Sequence, residues 1–211
     1  MKTAVIAGAS GLVGTALLPM LLEHSDYDKV ISLGRKTLPL HHPKLQQMVV
    51  DFSDLSAFKS PCHDVFCCLG TTIRAAGSKE RFFQVDHDFP LRLAEAALRN
   101  GAVCFTIITA IASDPNSRIY YSSVKGKLEQ QLMQMGYKNL NILRPSMLLG
   151  ARKEFRAAEW VSKQIMNLLR PIIPAKYRAV KDIAVARCML LQSLNNQRGT
   201  HIIENAEILK Y

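Results

Sequence analysis

The sequence predicts an α/β protein: one doubly wound domain, with a mostly parallel sheet and helices on both of its faces. Three observations predict it. Short apolar runs alternate with helix-period segments along the chain, with no repeat, low-complexity tract or linker between them. The first run, residues 4–7, breaks into glycines spaced Gly8-x-x-Gly11-x-x-Gly14 and passes straight into the helical pattern of Val13, Leu17, Leu18, Leu21 and Leu22. The length, 211 residues, suffices for one substantial core and is marginal for two.

The glycine stretch is strand, tight turn and helix. Glycine lets the backbone turn sharply and approach a ligand closely. The helix N-terminus offers unpaired N–H groups and a partial positive charge, which suits a pyrophosphate. Gly8, Gly11 and Gly14 are therefore candidates for a dinucleotide-binding turn of the Rossmann type. The stretch does not read as a secretory leader, because Ser10, Gly11, Gly14 and Pro19 interrupt it.

Residues 29–33 read as the second strand, followed by Gly34, Arg35 and Lys36. A site that prefers NAD carries an acid here for the ribose 2′-hydroxyl. This chain carries two cations, and a guanidinium grips a 2′-phosphate that a carboxylate would repel. The expected cofactor is NADP(H). Residues 37–44 read as a loop, whose His41 and His42 lack the carboxylate or cysteine company of a metal site. Residues 48–50 read as a third strand ending in Asp51 and Phe52, with a helix starting at Ser53, Asp54 and Leu55. Asp51 and Phe52 have two readings: contacts to an adenine, or a helix-capping acid and a core aromatic.

Residues 64–69 form a continuous apolar run, as in a parallel strand buried on both faces. Gly70, Thr71 and Thr72 follow at its end. Residues 73–79 read as a loop and 80–100 as a long amphipathic helix that Pro90 kinks or interrupts. Residues 103–108 are the next buried strand, with Thr109 at its C-terminal end. A helix over 120–135 and a strand over 139–143 come next. A basic helix over 157–169 is built around Trp160, a further helix spans 182–194, and 200–203 reads as an edge strand. The whole chain, 1–211, reads as one domain, with 151–180 as a small flap over the strand ends.

Composition narrows the function. The formal charge is +10, and between residues 151 and 190 nine basic residues stand against three acidic ones. No aromatic interleaving or nucleic-acid motif accompanies them, so they read as a solvated face and not as a specific nucleic-acid site. The longest apolar run, 103–112, is too short to span a membrane. The five cysteines lack metal-ligand spacing, and three lie in apolar runs. They read as free thiols in a reducing compartment, with the cytoplasm as the default. No metal is expected.

Tyr121 and Lys125 are four residues apart, which on a helix puts them on one face about 6 Å apart along the axis. An ammonium beside a phenol stabilises the phenolate. Such a tyrosine can exchange a proton with a carbonyl/alcohol pair during hydride transfer. Lys125 can also hold the nicotinamide ribose, and the Thr109 hydroxyl is placed to bind a substrate carbonyl.

At these residues the sequence resembles the short-chain dehydrogenase/reductases of the atypical single-domain kind, nearest to the Tat-interacting-protein-like NAD(P)H-binding oxidoreductases. The matching stretches are residues 8–14, Gly34-Arg35, 68–72, Val85-Asp86, 121–126, Arg144-Pro145 and Glu159-Trp160. The resemblance implies that Ser10, Gly11, Leu12 and Val13 contact the pyrophosphate and that Arg35, with Lys36, holds the 2′-phosphate. It implies that Leu69, Gly70 and Thr71 line the cofactor, and that Leu148 touches its nicotinamide end. Arg156 would reach it from the flap, and Tyr121 and Lys125 would be the catalytic pair. Many relatives have serine where this chain has Thr109, which keeps the hydroxyl but restricts χ1.

The expected function is an NADPH-dependent oxidoreductase acting on a small-molecule carbonyl/alcohol pair, with substrate contacts from residues 73–79, 110–117 and 151–177. The alternative is an NADPH-binding regulatory or sensor protein without significant turnover. Nucleotide-sugar epimerisation uses the same residues but usually needs a larger C-terminal domain. A homodimer or a protein partner is compatible with the sequence, which does not choose between them.

Overall fold

The computed structural model describes residues 2–149, 174–195 and 197–211. Arg156, Trp160 and the helix expected over 157–169 lie outside these residues, as does most of the expected flap.

Strand β1 (Lys2–Ala7) leads into helix α1 (Leu12–Glu23) and strand β2 (Tyr27–Gly34). Strands β3 (Leu45–Val49) and β4 (Asp64–Cys67) follow. After two short helices and a long one come β5 (Cys104–Ile108), then a helix spanning Tyr120–Met133, then β6 (Asn139–Arg144). A two-residue ladder joins β7 (Leu148–Leu149) to β8 (Val180–Lys181). A helix spanning Asp182–Leu194 leads to β9 (Gly199–Glu204), and a last turn of helix covers Asn205–Ile208.

The main sheet has seven strands in the order β3-β2-β1-β4-β5-β6-β9, and every pairing is parallel. The strands are apolar on both faces because both faces are covered. On one face Ala4, Ile6, Val30 and Phe66 pack with Leu17 and Leu21 of α1 and with Val185 and Met189 of the 182–194 helix. On the other, Val5, Ile31, Val65 and Phe105 pack with Leu93, Ala97, Leu128 and Leu132. The strand order reverses between β1 and β4, which opens a crevice at their C-terminal ends.

Three local expectations change. No helix starts at Ser53; Asp51 accepts the Ser53 N–H at 2.8 Å and Asp54 accepts the Ser56 N–H at 2.9 Å. These short acidic side chains supply the backbone with turn partners in place of a helix. Residues 73–79 are not a plain loop. Helix α2 (Ile73–Ala76) is capped by Thr72, whose hydroxyl accepts the Ala75 N–H, and it ends on Gly77 at φ +81°. Ser78 caps the next helix, α3 (Lys79–Phe83), in the same way.

The third change concerns the segment predicted as one helix over 80–100. It runs from α3 through a π turn, Gln84–Asp88, into α4 (Phe89–Arg99). Within the turn the Phe89 N–H donates to the Gln84 carbonyl five residues back. Pro90 is the cause: its ring would collide with the Asp86 carbonyl in a regular α-helix, and it has no N–H to offer that carbonyl. The predicted interruption is thus a widening, which turns Asp86 and His87 inward.

The helix Tyr120–Met133, α5, lies against the loop after β5. A Cβ on Gly126 would fall 2.2 Å from the backbone of Asp114 and Pro115. Alanine would add helix propensity worth about 1 kcal/mol. The clash is with backbone and wins, so Gly126→Ala is expected to lower stability by about 1–3 kcal/mol in urea denaturation.

Candidate functional site

The crevice holds two adjoining clefts of about 740 and 860 Å³ that share Ser10, Gly11, Cys68, Leu69, Gly70 and Thr71 as a common wall. That wall is built by glycines. Gly8 has φ +84°, and a Cβ on it would lie 2.6 Å from the Cys68 carbonyl oxygen. A Cβ on Gly14 would lie 2.2 Å from the Gly8 oxygen. These two glycines let three backbone segments touch. Gly14 lines neither cleft, so its role is packing.

Gly11 differs. Its Cβ would be 3.2 Å from the Gly8 oxygen, a tight but tolerable contact. Gly11 is the N-cap of α1 and offers no side chain to the first-turn N–H groups, and the first turn holds no acid. Uncapped N–H groups and the helix dipole face the cleft beside Ser10, Leu12 and Val13, an arrangement with the chemistry to receive an anion.

In the first half of the crevice Arg35 and Lys36 line the wall. Phe52 lines it too, with its ring 5.9 Å from that of Phe89. Asp51 lines neither half; Ser53 holds its carboxylate, and those hydrogen bonds keep it below the usual carboxylate range. The helix-capping role expected as its alternative is likewise absent, since it closes a turn. Ala75 and Ala76, expected to face substrate, line the same half as Arg35. Arg81 lines it as well, with its guanidinium 5.6 Å from the Phe89 ring centre.

The second half collects Thr109, Tyr121, Lys125 and Leu148. The Tyr121 ring packs 5.4 Å from that of buried Phe82. Lys125 is 3 % exposed, and its Nζ lies 2.7 Å from Oδ1 of Asp86, itself 1 % exposed. Burial, the largest single influence, works against the ammonium; the Asp86 carboxylate together with Tyr121 and the Cys67 thiol outweighs it, so the Lys125 pKa stands above its ordinary value. The second Asp86 oxygen accepts the Thr71 N–H at 2.8 Å. Asp182, at the start of the 182–194 helix, also faces this half.

Thr109 is in place, but its proton is engaged. Both its N–H, at 2.8 Å, and its hydroxyl, at 3.2 Å, donate to the Leu143 carbonyl. In this arrangement the hydroxyl presents lone pairs to the cleft. Burial raises the thiols of Cys67 and Cys68, Cys67 to about 12, which disfavours the thiolate.

Asp86 and Arg81 carry no assigned role in the sequence reading. A signal for Asp86 existed: Phe82, Asp86, Phe89 and Leu93 fall on one helical stripe, and an acid on a buried stripe must meet a cation.

The loop between Thr109 and α5 is held by hydrogen bonds from the Ser113 hydroxyl to the Ala110 carbonyl, 2.7 Å, and from the Asp114 N–H to the Ser122 carbonyl, 3.2 Å. Within it Ala112 has φ +59°, the one non-glycine positive φ among the described residues. A left-handed alanine costs about 1–2 kcal/mol. Part of that returns as glycine's greater unfolded-state entropy, so Ala112→Gly is expected to raise stability by about 0.5–1 kcal/mol in thermal or urea unfolding.

Comparison with known proteins gives the family and the fold. Residues 4–203 match the model of the NAD dependent epimerase/dehydratase family. Protein HTATIP2 of Rattus norvegicus is 34% identical over 215 residues, which cover 99% of this chain and 88% of that protein. Protein FMP52, mitochondrial, of Eremothecium gossypii is 36% identical over 218 residues, covering 98% of this chain and 95% of that protein. Among solved structures, MoeE5 in complex with UDP-glucuronic acid and NAD superposes with a TM-score of 0.73 at 17% identity. That superposition covers 95% of this chain and 75% of that one. No helix among the described residues is long and apolar enough to cross a membrane.

Proposed function

The chain belongs to the NAD dependent epimerase/dehydratase family, and from that premise we propose that it is an NADPH-dependent oxidoreductase of the atypical short-chain dehydrogenase/reductase type, acting on a carbonyl/alcohol pair. One observation carries the cofactor choice. Arg35, Lys36 and Arg81 line the first half of the crevice, and no carboxylate among the described residues lines it with them. That charge balance suits a 2′-phosphate and leaves a bare ribose without its usual acidic partner.

In this reading the first turn of α1, with Ser10, Gly11, Leu12 and Val13, holds the pyrophosphate. Phe52 and Phe89, packed on each other, form an apolar wall for the adenine, and Leu69, Gly70 and Thr71 line the middle of the cofactor. Leu148 packs at the nicotinamide end. When bound, the reduced nicotinamide supplies a hydride. Tyr121 donates the proton to the substrate oxygen. Lys125 holds the ribose and stabilises the phenolate that forms. Thr109 polarises the substrate carbonyl only after its hydroxyl turns away from Leu143. The described cysteines are all free thiols, which supports a reducing compartment, and the cytoplasm is the proposed location.

NADPH is expected to bind at least about tenfold tighter than NADH, since a charge-assisted phosphate contact is worth roughly 1.5–3 kcal/mol. Fluorescence titration of both cofactors checks it, and Arg35→Ala should erase most of the difference. Equal affinities in the wild type would refute the 2′-phosphate assignment.

Tyr121→Phe keeps the ring and removes the proton donor. Cofactor affinity should change little, while single-turnover NADPH oxidation, with the best substrate from a screen of aldehydes, ketones and quinones, should slow by roughly 10²-fold or more. A rate equal to wild type would replace the enzyme with an NADPH-binding regulator.

A further inference from the structure

A lysine buried as deeply as Lys125 sheds its proton unless an opposite charge stands beside it. Three features of the chain meet that need with one carboxylate. Pro90 forces the π turn that swings Asp86 inward. Gly70 leaves room for the pair, since a Cβ there would come 3.3 Å from Asp86 Oδ1 and 3.9 Å from Lys125 Nζ. The Thr71 N–H occupies the other carboxylate oxygen, so both are engaged.

We propose that Asp86 is the positioning residue of the site: it holds the Lys125 ammonium on the crevice wall and ties it to the Thr71 backbone. The work this does in the reaction rests on the oxidoreductase reading; the pairing itself does not. The groups facing Lys125 are Asp86 from the π turn, Tyr121 from α5 and the Cys67 thiol from β4. Asp182 lines the same half of the crevice. Of these, Asp86 is the carboxylate in contact. With it in place Lys125 stays charged up to and beyond the ordinary lysine value of about 10.4. Without it, burial opposes only the weaker pull of Tyr121 and Cys67, and Lys125 is expected to become neutral as pH rises through a value below the ordinary one.

The test follows the ε-carbon of Lys125 by NMR in ¹³C-lysine protein, assigned with Lys125→Arg. In the wild type the signal should not titrate below about pH 10. In Asp86→Asn its midpoint should fall by about two pH units or more, and Asp86→Glu should restore most of the shift. NADPH affinity, measured between about pH 7.5 and 9, where the 2′-phosphate is fully ionised, should stay flat in the wild type and weaken several-fold with rising pH in Asp86→Asn. A wild-type Lys125 that titrates below the ordinary lysine range would overturn the proposal, even if Asp86→Asn failed to fold. So would an Asp86→Asn protein whose Lys125 midpoint matches wild type. A wild type that binds no NADPH would overturn the functional reading, while the NMR titration would still decide the role of Asp86.

Discussion

The site depends on a contact between backbones. Helix α1 can begin directly above β1 only because Gly14 has no Cβ to strike the Gly8 oxygen, and β1 can lie against the end of β4 only because Gly8 has none to strike Cys68. At 2.2 and 2.6 Å these would be collisions with backbone, which has nowhere to rotate. The result is a helix N-terminus aimed into the crevice where the strand order reverses. Its N–H groups are left uncapped because the N-cap is Gly11. The three glycines thus divide the work: Gly8 and Gly14 allow the backbones to close, and Gly11 leaves the helix N-terminus open to the crevice.

Helix α5 is fixed by charge. Tyr121, Lys125 and Glu129 recur every four residues on one face. Lys125 pairs with Asp86 of the π turn, and buried Glu129 accepts a forked hydrogen bond from Arg144 at the end of β6, the closest contact being 2.6 Å. Arg144 also reaches Glu204 of β9 at 3.1 Å. Removing one partner of such a buried pair leaves an uncompensated charge, a loss of about 3–5 kcal/mol. The two clamps lie one turn apart, so α5 can neither slide nor rotate, and Tyr121 inherits that rigidity. Tight placement of this kind suits the proton donor proposed for this position.

A third anchor closes the chain beyond the strands. Asn205, fully buried, accepts the Ser146 N–H at 2.9 Å and donates to the carbonyls of Ala175 and Arg178 at 2.9 and 2.8 Å. The ladder Leu148↔Val180 and Leu149↔Lys181 lies alongside. Leu148 therefore reaches the crevice from a frame tied to the last strand.

Much of this was legible in the chain. The order of strands and helices follows from apolar runs and helix-period segments, because burial on both faces of a parallel sheet demands them. Gly8, Gly11 and Gly14, the cations Arg35 and Lys36, and the spacing of Tyr121 and Lys125 are local patterns, and a local pattern is readable one residue at a time. The turn at Asp51 is not legible in the sequence because an aspartate caps helices and closes turns equally well, and its neighbours do not decide which. Pro90 announced an interruption but not its form. That Asp86 meets Lys125, that Thr109 gives its proton to Leu143, and that Arg81 joins Arg35 and Lys36 are pairings between residues far apart in the chain. Sequence by itself determined the sheet, the glycine turn and the chemistry on offer. Which charge neutralises which was decided by tertiary structure alone, because a buried charge is answered by whatever folding brings within about 3 Å of it.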